Sequence, residues 1–153
     1  MTGSFAALFA LLLVGHYVGD YVAQTDRMAV RKVAGAAYPE GHPDEGQPVP
    51  AWLSWWWNQA HVATYTATLV ATVLGVSALG GFAGQFAAVP GWRWLLAVAV
   101  NWAAHSLLDR RWPVVRLMEA TGSGPFSRRG GAAHVDQTLH LLTLLVLAAF
   151  CTR

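Results

Sequence analysis

His105-Ser106-Leu107-Leu108-Asp109 lies at the end of the apolar run 92–108. A histidine and an aspartate four residues apart lie on one face of a helix. Here the helix is apolar enough for a bilayer span. The pairing recurs in the other apolar runs: His16 with Asp20 in the first, Asp136 with His140 in the last, and His61 by itself in the second. Each long apolar run therefore carries part of one set of ionisable residues.

Composition places that set in a membrane. Over 153 residues, hydrophobic side chains make up 55% and charged ones 12%, against roughly 25% charged in a soluble domain. The mean hydropathy of +0.38 agrees, and the apolar residues come in blocks, as spans require. The length suits one domain. A net charge of +2 is too small to point to nucleic acid and is accounted for by membrane orientation. The single cysteine, Cys151, excludes an internal disulfide and a multi-cysteine zinc site. The N-terminal apolar stretch has no basic region before it, so it reads as a span and not as a cleaved signal.

The expected fold is all-α: an integral membrane four-helix bundle forming a single transmembrane domain over 1–153. Its spans are 5–30, 55–79, 92–110 and 133–152, separated in part by Gly80-Gly81 and Pro90-Gly91. Each is about 18–25 residues, enough at ~1.5 Å per residue to cross a core of ~30 Å. Arg27, Arg31 and Lys32 flank the first loop, and Arg110, Arg111, Arg116, Arg128 and Arg129 the third, while the opposite side has Arg93 and Arg153. Positive-inside orientation makes these two larger loops cytoplasmic and both termini external, in a bacterial inner membrane. Trp52, Trp55, Trp56, Trp57 and Trp112 would mark the inner interface, and Trp92 and Trp94 the outer one. The first loop, 35–50, reads as irregular, with His42 a solvated loop residue. A short interfacial helix is expected at 114–120.

Counting residues along each span puts His16, Asp20, His61, His105, Asp109, Asp136 and His140 within one slab about 10 Å thick in the cytoplasmic half. Ionisable groups at the bilayer centre cost about 2.5–3.5 kcal/mol each on insertion scales, so they should face the interior and be paired. Three carboxylates and four neutral imidazoles sum to about −3, and the arginines lie at the border or beyond, leaving no interior base to balance them. One or two divalent transition-metal ions would do so, zinc, iron or manganese by donor type. Interhelical hydrogen bonding, a proton relay or haem ligation are the other readings of the same residues. Asn58, Asn101, Gln24 and Gln137 lie within a turn of the set and would support it.

The stretches His16-Tyr17-Val18-Gly19-Asp20-Tyr21-Val22-Ala23-Gln24-Thr25-Asp26, Ala104-His105-Ser106-Leu107-Leu108-Asp109 and Asp136-Gln137-Thr138-Leu139-His140 resemble a family of small bacterial and phage membrane proteins of unknown function. Lys32 and His61 fall where that family has a lysine and a second-span histidine. The likeness covers all four spans, whereas the loop 35–50 and the stretch 116–133 look peculiar to this chain. The His-Ser of the third span is more distantly similar to inner-membrane proteins described as metal-dependent hydrolases. The resemblance implies metal ligation by the seven residues and brings no established reaction.

The expected function is a metal-dependent hydrolase, its site open to the cytoplasm, with Asp109 or Asp20 as general base. Its partners would be the lipid bilayer and an anionic or lipid substrate at the cytoplasmic interface. Arg110, Arg111, Arg128 and Arg129 lie at the mouth, as topological charges or as a receptor for that anion. The alternative is non-enzymatic: a metal- or proton-coupled permease, or a module stapled by buried metal. The outer halves, 5–13 and 141–149, are nearly free of polar side chains, which disfavours a through-path.

Overall fold

The computed structural model describes residues 2–80 and 84–153. Gly81, half of the expected glycine break, lies outside them. The described chain is all-α: α1 (Thr2–Tyr17), α2 (Asp26–Arg31), α3 (Ala51–Leu79), α4 (Gly84–Ala87), α5 (Gly91–Leu108), α6 (Trp112–Ala120), α7 (Gly124–Phe126) and α8 (Ala132–Cys151). Wide π-type turns at Val18–Val22 and Ser127–Gly131 follow α1 and α7. Prolines set several starts: Pro50 precedes α3, Pro90 precedes α5, and Pro113 lies in the first turn of α6, where its missing N–H costs nothing.

Three stretches are long and apolar enough to cross a membrane: Ser4–Val22, Ala51–Leu79 and Gly124–Cys151. A third or less of each is buried; Val14, Val70, Leu74, Leu142 and Val146 are exposed. Helix α5 has 18 residues, but Arg93, Asn101 and His105 reduce its apolar character below that of the other three. The first expected span, 5–30, is in fact two elements. The helix ends with the π turn at Val22, and Thr25 begins α2 by accepting a hydrogen bond from the Met28 N–H at 3.3 Å.

The chain divides into two compact units. The first comprises Met1–Gln24, Ala63–Ala104 and Leu141–Arg153, and the second Thr25–Val62 and His105–His140. In the first unit, Leu8, Leu11, Phe86, Ala97, Leu147 and Ala148 form an apolar core, with a second cluster of Tyr65, Leu69 and Leu144. Gly15 and Gly19 let α1 and α3 approach closely. A Cβ on Gly15 would lie 3.0 Å from Leu69 Cδ2, and one on Gly19 2.8 Å from Tyr65 Cδ2. Small residues four apart serve this purpose in membrane helix pairs.

In the second unit, the loop expected to be irregular is an ordered antiparallel turn. Ala37 and Pro48 form a bridge, and the Tyr38 N–H donates to Gln47 O at 2.9 Å while the Val49 N–H donates to Ala36 O at 2.8 Å. His42 stacks on Tyr38 with ring centroids 4.2 Å apart, and its Nδ1 accepts from the Asp44 N–H. Short-range pairing of this kind leaves no periodic apolar signal, which is why composition alone reads as an irregular connection. The expected helix at 114–120 is α6, with Val114 and Met118 buried.

Candidate metal centre

The second unit gathers His61 from α3, His105 from α5, and Asp109 from the turn that follows α5. His61 Nε2 and His105 Nε2 are 3.0 Å apart. Asp109 Oδ2 is 3.3 Å from the first and 3.2 Å from the second. The three atoms form a nearly equilateral triangle, and all three side chains are buried. Ligands at about 2.0–2.1 Å from a tetrahedral zinc ion are separated by about 3.3–3.4 Å, so the triangle has close to the dimensions of one tetrahedral face.

His140, on α8, widens the set. Its Nδ1 lies 2.9 Å from the Asp136 carbonyl oxygen; a carbonyl only accepts, so Nδ1 carries the proton and Nε2 is the nitrogen that bears the lone pair. The Asp136 carboxylate is 3.6 Å from the same Nδ1. Fixing one ring nitrogen through its hydrogen bond is how metal-binding histidines are usually oriented. Ligand atoms of His105, Asp109 and His140 all lie within 4.8 Å of one another, and the His105 and His140 ring centroids are 4.3 Å apart. These buried histidines and carboxylates can hold a metal ion.

Lys32 was missing from the charge balance drawn on sequence. Its Nζ is 2.9 Å from Asp109 Oδ1, with 12% of the lysine side chain exposed. An interior base is therefore present, and the net negative charge of the cluster is smaller than counted. Lys32 caps α2, and its flexible stem carries the ammonium away from the helix end where the sequence leaves it. Two signals were present: it is the only lysine in the chain, and it falls where the resembled family has a lysine.

Arg110 also departs from its expected role. It is buried, not at the mouth. Its Nη1 donates to Lys32 O and to Ser54 Oγ, both at 2.8 Å, and the guanidinium lies over the Trp55 ring at 4.5 Å. Ser54 Oγ donates in turn to Val33 O. Arg110 therefore ties the segment carrying Lys32 to α3, whereas Arg111, Arg128 and Arg129 remain exposed.

A polar knot fixes α3 against α5 beside the histidines. Ser106 Oγ donates to Asn58 Oδ1 at 2.7 Å, and Asn58 Nδ2 donates to Ser106 O at 3.2 Å. Gln59 Nε2 donates to Ser106 Oγ at 2.6 Å and to Asn58 Oδ1 at 3.0 Å. Asn58 is the supporting residue expected from sequence; Gln59 and Ser106 were not foreseen. Both are sequence neighbours of groups already singled out. Gln137 is half-buried in this unit.

His16 and Asp20 belong to the first unit. His16 is fully buried, with Nδ1 3.1 Å from Tyr65 OH and 3.7 Å from Asp20 Oδ2. Asp20 sits in the π turn Val18–Val22 and is buried. Tyr65, four residues beyond His61, was not expected as a partner; it reaches His16 because Gly19 leaves room for its ring. Gln24 is half-buried and Asn101 buried in the same unit.

Fold and site together define an α-helical protein with three helices fit to cross a membrane and a buried His/Asp cluster able to bind metal. No family model, curated protein or solved structure matches the chain. The functional reading rests on its own residues.

Proposed function

We propose that this is a metal-binding integral membrane protein whose His/Asp cluster works as a metal-dependent hydrolase. The observation that carries the reading is the triangle of His61 Nε2, His105 Nε2 and Asp109 Oδ2, with edges of 3.0, 3.3 and 3.2 Å. Three protein ligands with a fourth position left for water or substrate is the usual arrangement of catalytic zinc. A bound ion would supply Lewis acidity and lower the pKa of water toward ~7.

The chain's own groups then have distinct tasks. Asp109 would hold an ion through Oδ2, because Lys32 occupies Oδ1. His140 Nε2, with its ring oriented by the Asp136 carbonyl, would stand in for His61 as third ligand in the alternative triad with His105 and Asp109, the fourth position staying open in either case. The Asn58–Gln59–Ser106 knot keeps His61 and His105 in register. Four spans, with α5 as the third, put Lys32 and Arg110 on the cytoplasmic side by the positive-inside rule. An ester or phosphoester with an anionic or lipid-like character is the substrate class, approaching past the exposed Arg111, Arg128 and Arg129.

A second reading, in which the ion only staples the helices, is favoured by burial: His61 is 0%, His105 1% and Asp109 5% exposed. The two separate by assay. Purified protein, metal-loaded or treated with chelator, is offered p-nitrophenyl esters and bis(p-nitrophenyl) phosphate in detergent. Metal-dependent turnover that disappears in His105→Ala supports the hydrolase. Bound metal that raises stability with no turnover on either substrate class supports the staple and overturns the enzyme.

A further inference from the structure

Within the second unit, the segment between α5 and α8 turns a basic surface outward. Arg111 and Arg116, before and on α6, and Arg128 and Arg129, in the π-type turn after α7, are all exposed. The one acidic residue over 111–131 is Glu119, so four arginines against one glutamate leave +3. Among the described residues none of the four arginines is ion-paired. The segment is one packed piece: α6 lies against α7 and against the turn, with Val114 and Met118 buried on its inner face. The Arg116 guanidinium lies over the Trp112 ring at 4.8 Å. Arg128 folds back over α7, where a Cβ on Gly124 would lie 3.5 Å from its Nη1.

The same piece exposes large apolar side chains: Trp112 is 45%, Leu117 44% and Phe126 45% exposed. A Cβ on Gly131 would fall 2.5 Å from the Phe126 ring, so the ring lies against the turn that carries Arg128 and Arg129. Orientation in the membrane accounts for positive charge here, but it does not call for exposed aromatic and aliphatic groups beside that charge. A soluble anion would use the arginines and leave those groups in water. Bilayer hydrocarbon would cover them and leave the arginines unpaired. An anionic phospholipid satisfies both, since guanidinium groups take phosphate oxygens in bidentate fashion and apolar side chains enter the acyl boundary. A second copy of the chain has an acidic face in its hairpin tip, where Glu40, Asp44 and Glu45 are exposed. That tip is otherwise Gly, His, Pro and Gln over 39–47 and brings no large aliphatic group for Trp112, Leu117 and Phe126.

We propose that the surface formed by α6 and the turn 127–131 holds anionic phospholipid, its phosphate on Arg111, Arg116, Arg128 and Arg129, with Trp112, Leu117 and Phe126 at the acyl boundary. The proposal rests on the membrane reading and not on the hydrolase. None of these residues belongs to the metal centre, and the lipid is a resident partner of the surface, distinct from a substrate.

The test is competition between phosphatidylglycerol and phosphatidylcholine for the purified full chain in detergent, the retained lipid being counted by native mass spectrometry. Binding in micelles does not depend on which way the chain inserts. The chain should retain phosphatidylglycerol preferentially, with or without chelator. Each arginine near an anionic surface is worth about fivefold, so Arg128→Gln combined with Arg129→Gln should lower the preference by about tenfold or more. Arg116→Gln, on a different element, should lower it about fivefold and serves if the double variant fails to fold. Equal retention of the two lipids, or a preference that the folded variants leave intact, would mean that the arginines serve orientation alone and overturn the proposal. Displacement of the lipid by inorganic phosphate would overturn it in favour of a free-phosphate site, and a preference abolished by chelator would move the lipid to the metal centre. Arginine-dependent dimers with no lipid preference would overturn it in favour of a second copy. A chain that stays soluble and monomeric without detergent would overturn the membrane reading beneath it.

Discussion

Lys32 Nζ lies 2.9 Å from Asp109 Oδ1, while the other oxygen of the same carboxylate faces the Nε2 atoms of His61 and His105 at 3.3 and 3.2 Å. One carboxylate thus has a cation on one oxygen and a potential ion position at the other. The ammonium orients the carboxylate and offsets part of its charge before any metal arrives.

Replacing Lys32 by Met should therefore cost the metal-free protein roughly 3 kcal/mol, the order seen when one member of a buried ion pair is removed. Added zinc should recover more stability in the variant than in the wild type, because Asp109 then lacks its other cation. Equilibrium unfolding in mixed micelles, with and without zinc, measures both. Equal recovery in the two proteins would separate Lys32 from the metal centre.

The knot beside the histidines gives a second expectation. Ser106→Ala removes the hydroxyl that donates to Asn58 and accepts from Gln59. The loss should be about 1–3 kcal/mol of stability, since the partners are left buried. Metal affinity should fall about 10- to 100-fold, as for residues that orient ligands. A competition titration with a chromophoric chelator reads the affinity directly.

Gly19 tests the close approach within the first unit. Gly19→Ala puts a Cβ at 2.8 Å from Tyr65 Cδ2, and the forced shift should cost about 1–3 kcal/mol. Tyr65→Phe removes only the hydroxyl contact with His16 and should cost about 1 kcal/mol. Chemical unfolding of the two variants distinguishes steric fit from the hydrogen bond; a Gly19→Ala protein as stable as the wild type would contradict the close approach.

Arg111 is the described non-glycine residue with positive φ, at 62°. The Trp112 N–H reaches back to Arg110 O at 2.8 Å across it, forming a strained three-residue turn between α5 and α6. Arg111→Gly should therefore stabilise the protein by about 1 kcal/mol. Its exposed side chain makes no described contact that the change would remove. A melting temperature unchanged or lowered would show that the turn is not strained.

Much of this was legible in the chain itself. The apolar runs and the i, i+4 spacing of histidine and aspartate follow from helix geometry, so the α-helical fold and the candidates His105, Asp109 and His140 could be read in advance, while His61, with no carboxylate four residues away, was a candidate by its depth along the helix. The pairing of Lys32 with Asp109 could not be, because it joins residues 77 positions apart through a flexible stem whose direction no periodicity encodes. Arg110 looked like a border charge for the same reason: hydropathy counts it as polar, while the structure buries it against Trp55, Ser54 and the Lys32 carbonyl. The antiparallel pairing within 36–49 depends on turn hydrogen bonds, which composition does not record. Helix ends set by a π turn and a Thr25 cap likewise shorten a span that hydropathy alone extends to Val30.

Whether His61, His105 and Asp109 hold a metal ion is decided by elemental analysis of purified protein. The wild type should contain at least one first-row divalent ion per chain, and His105→Ala and Asp109→Ala should each contain far less while remaining folded by circular dichroism. Wild-type protein purified without chelator, reconstituted with zinc, iron or manganese and still free of stoichiometric metal, would contradict metal binding by these residues.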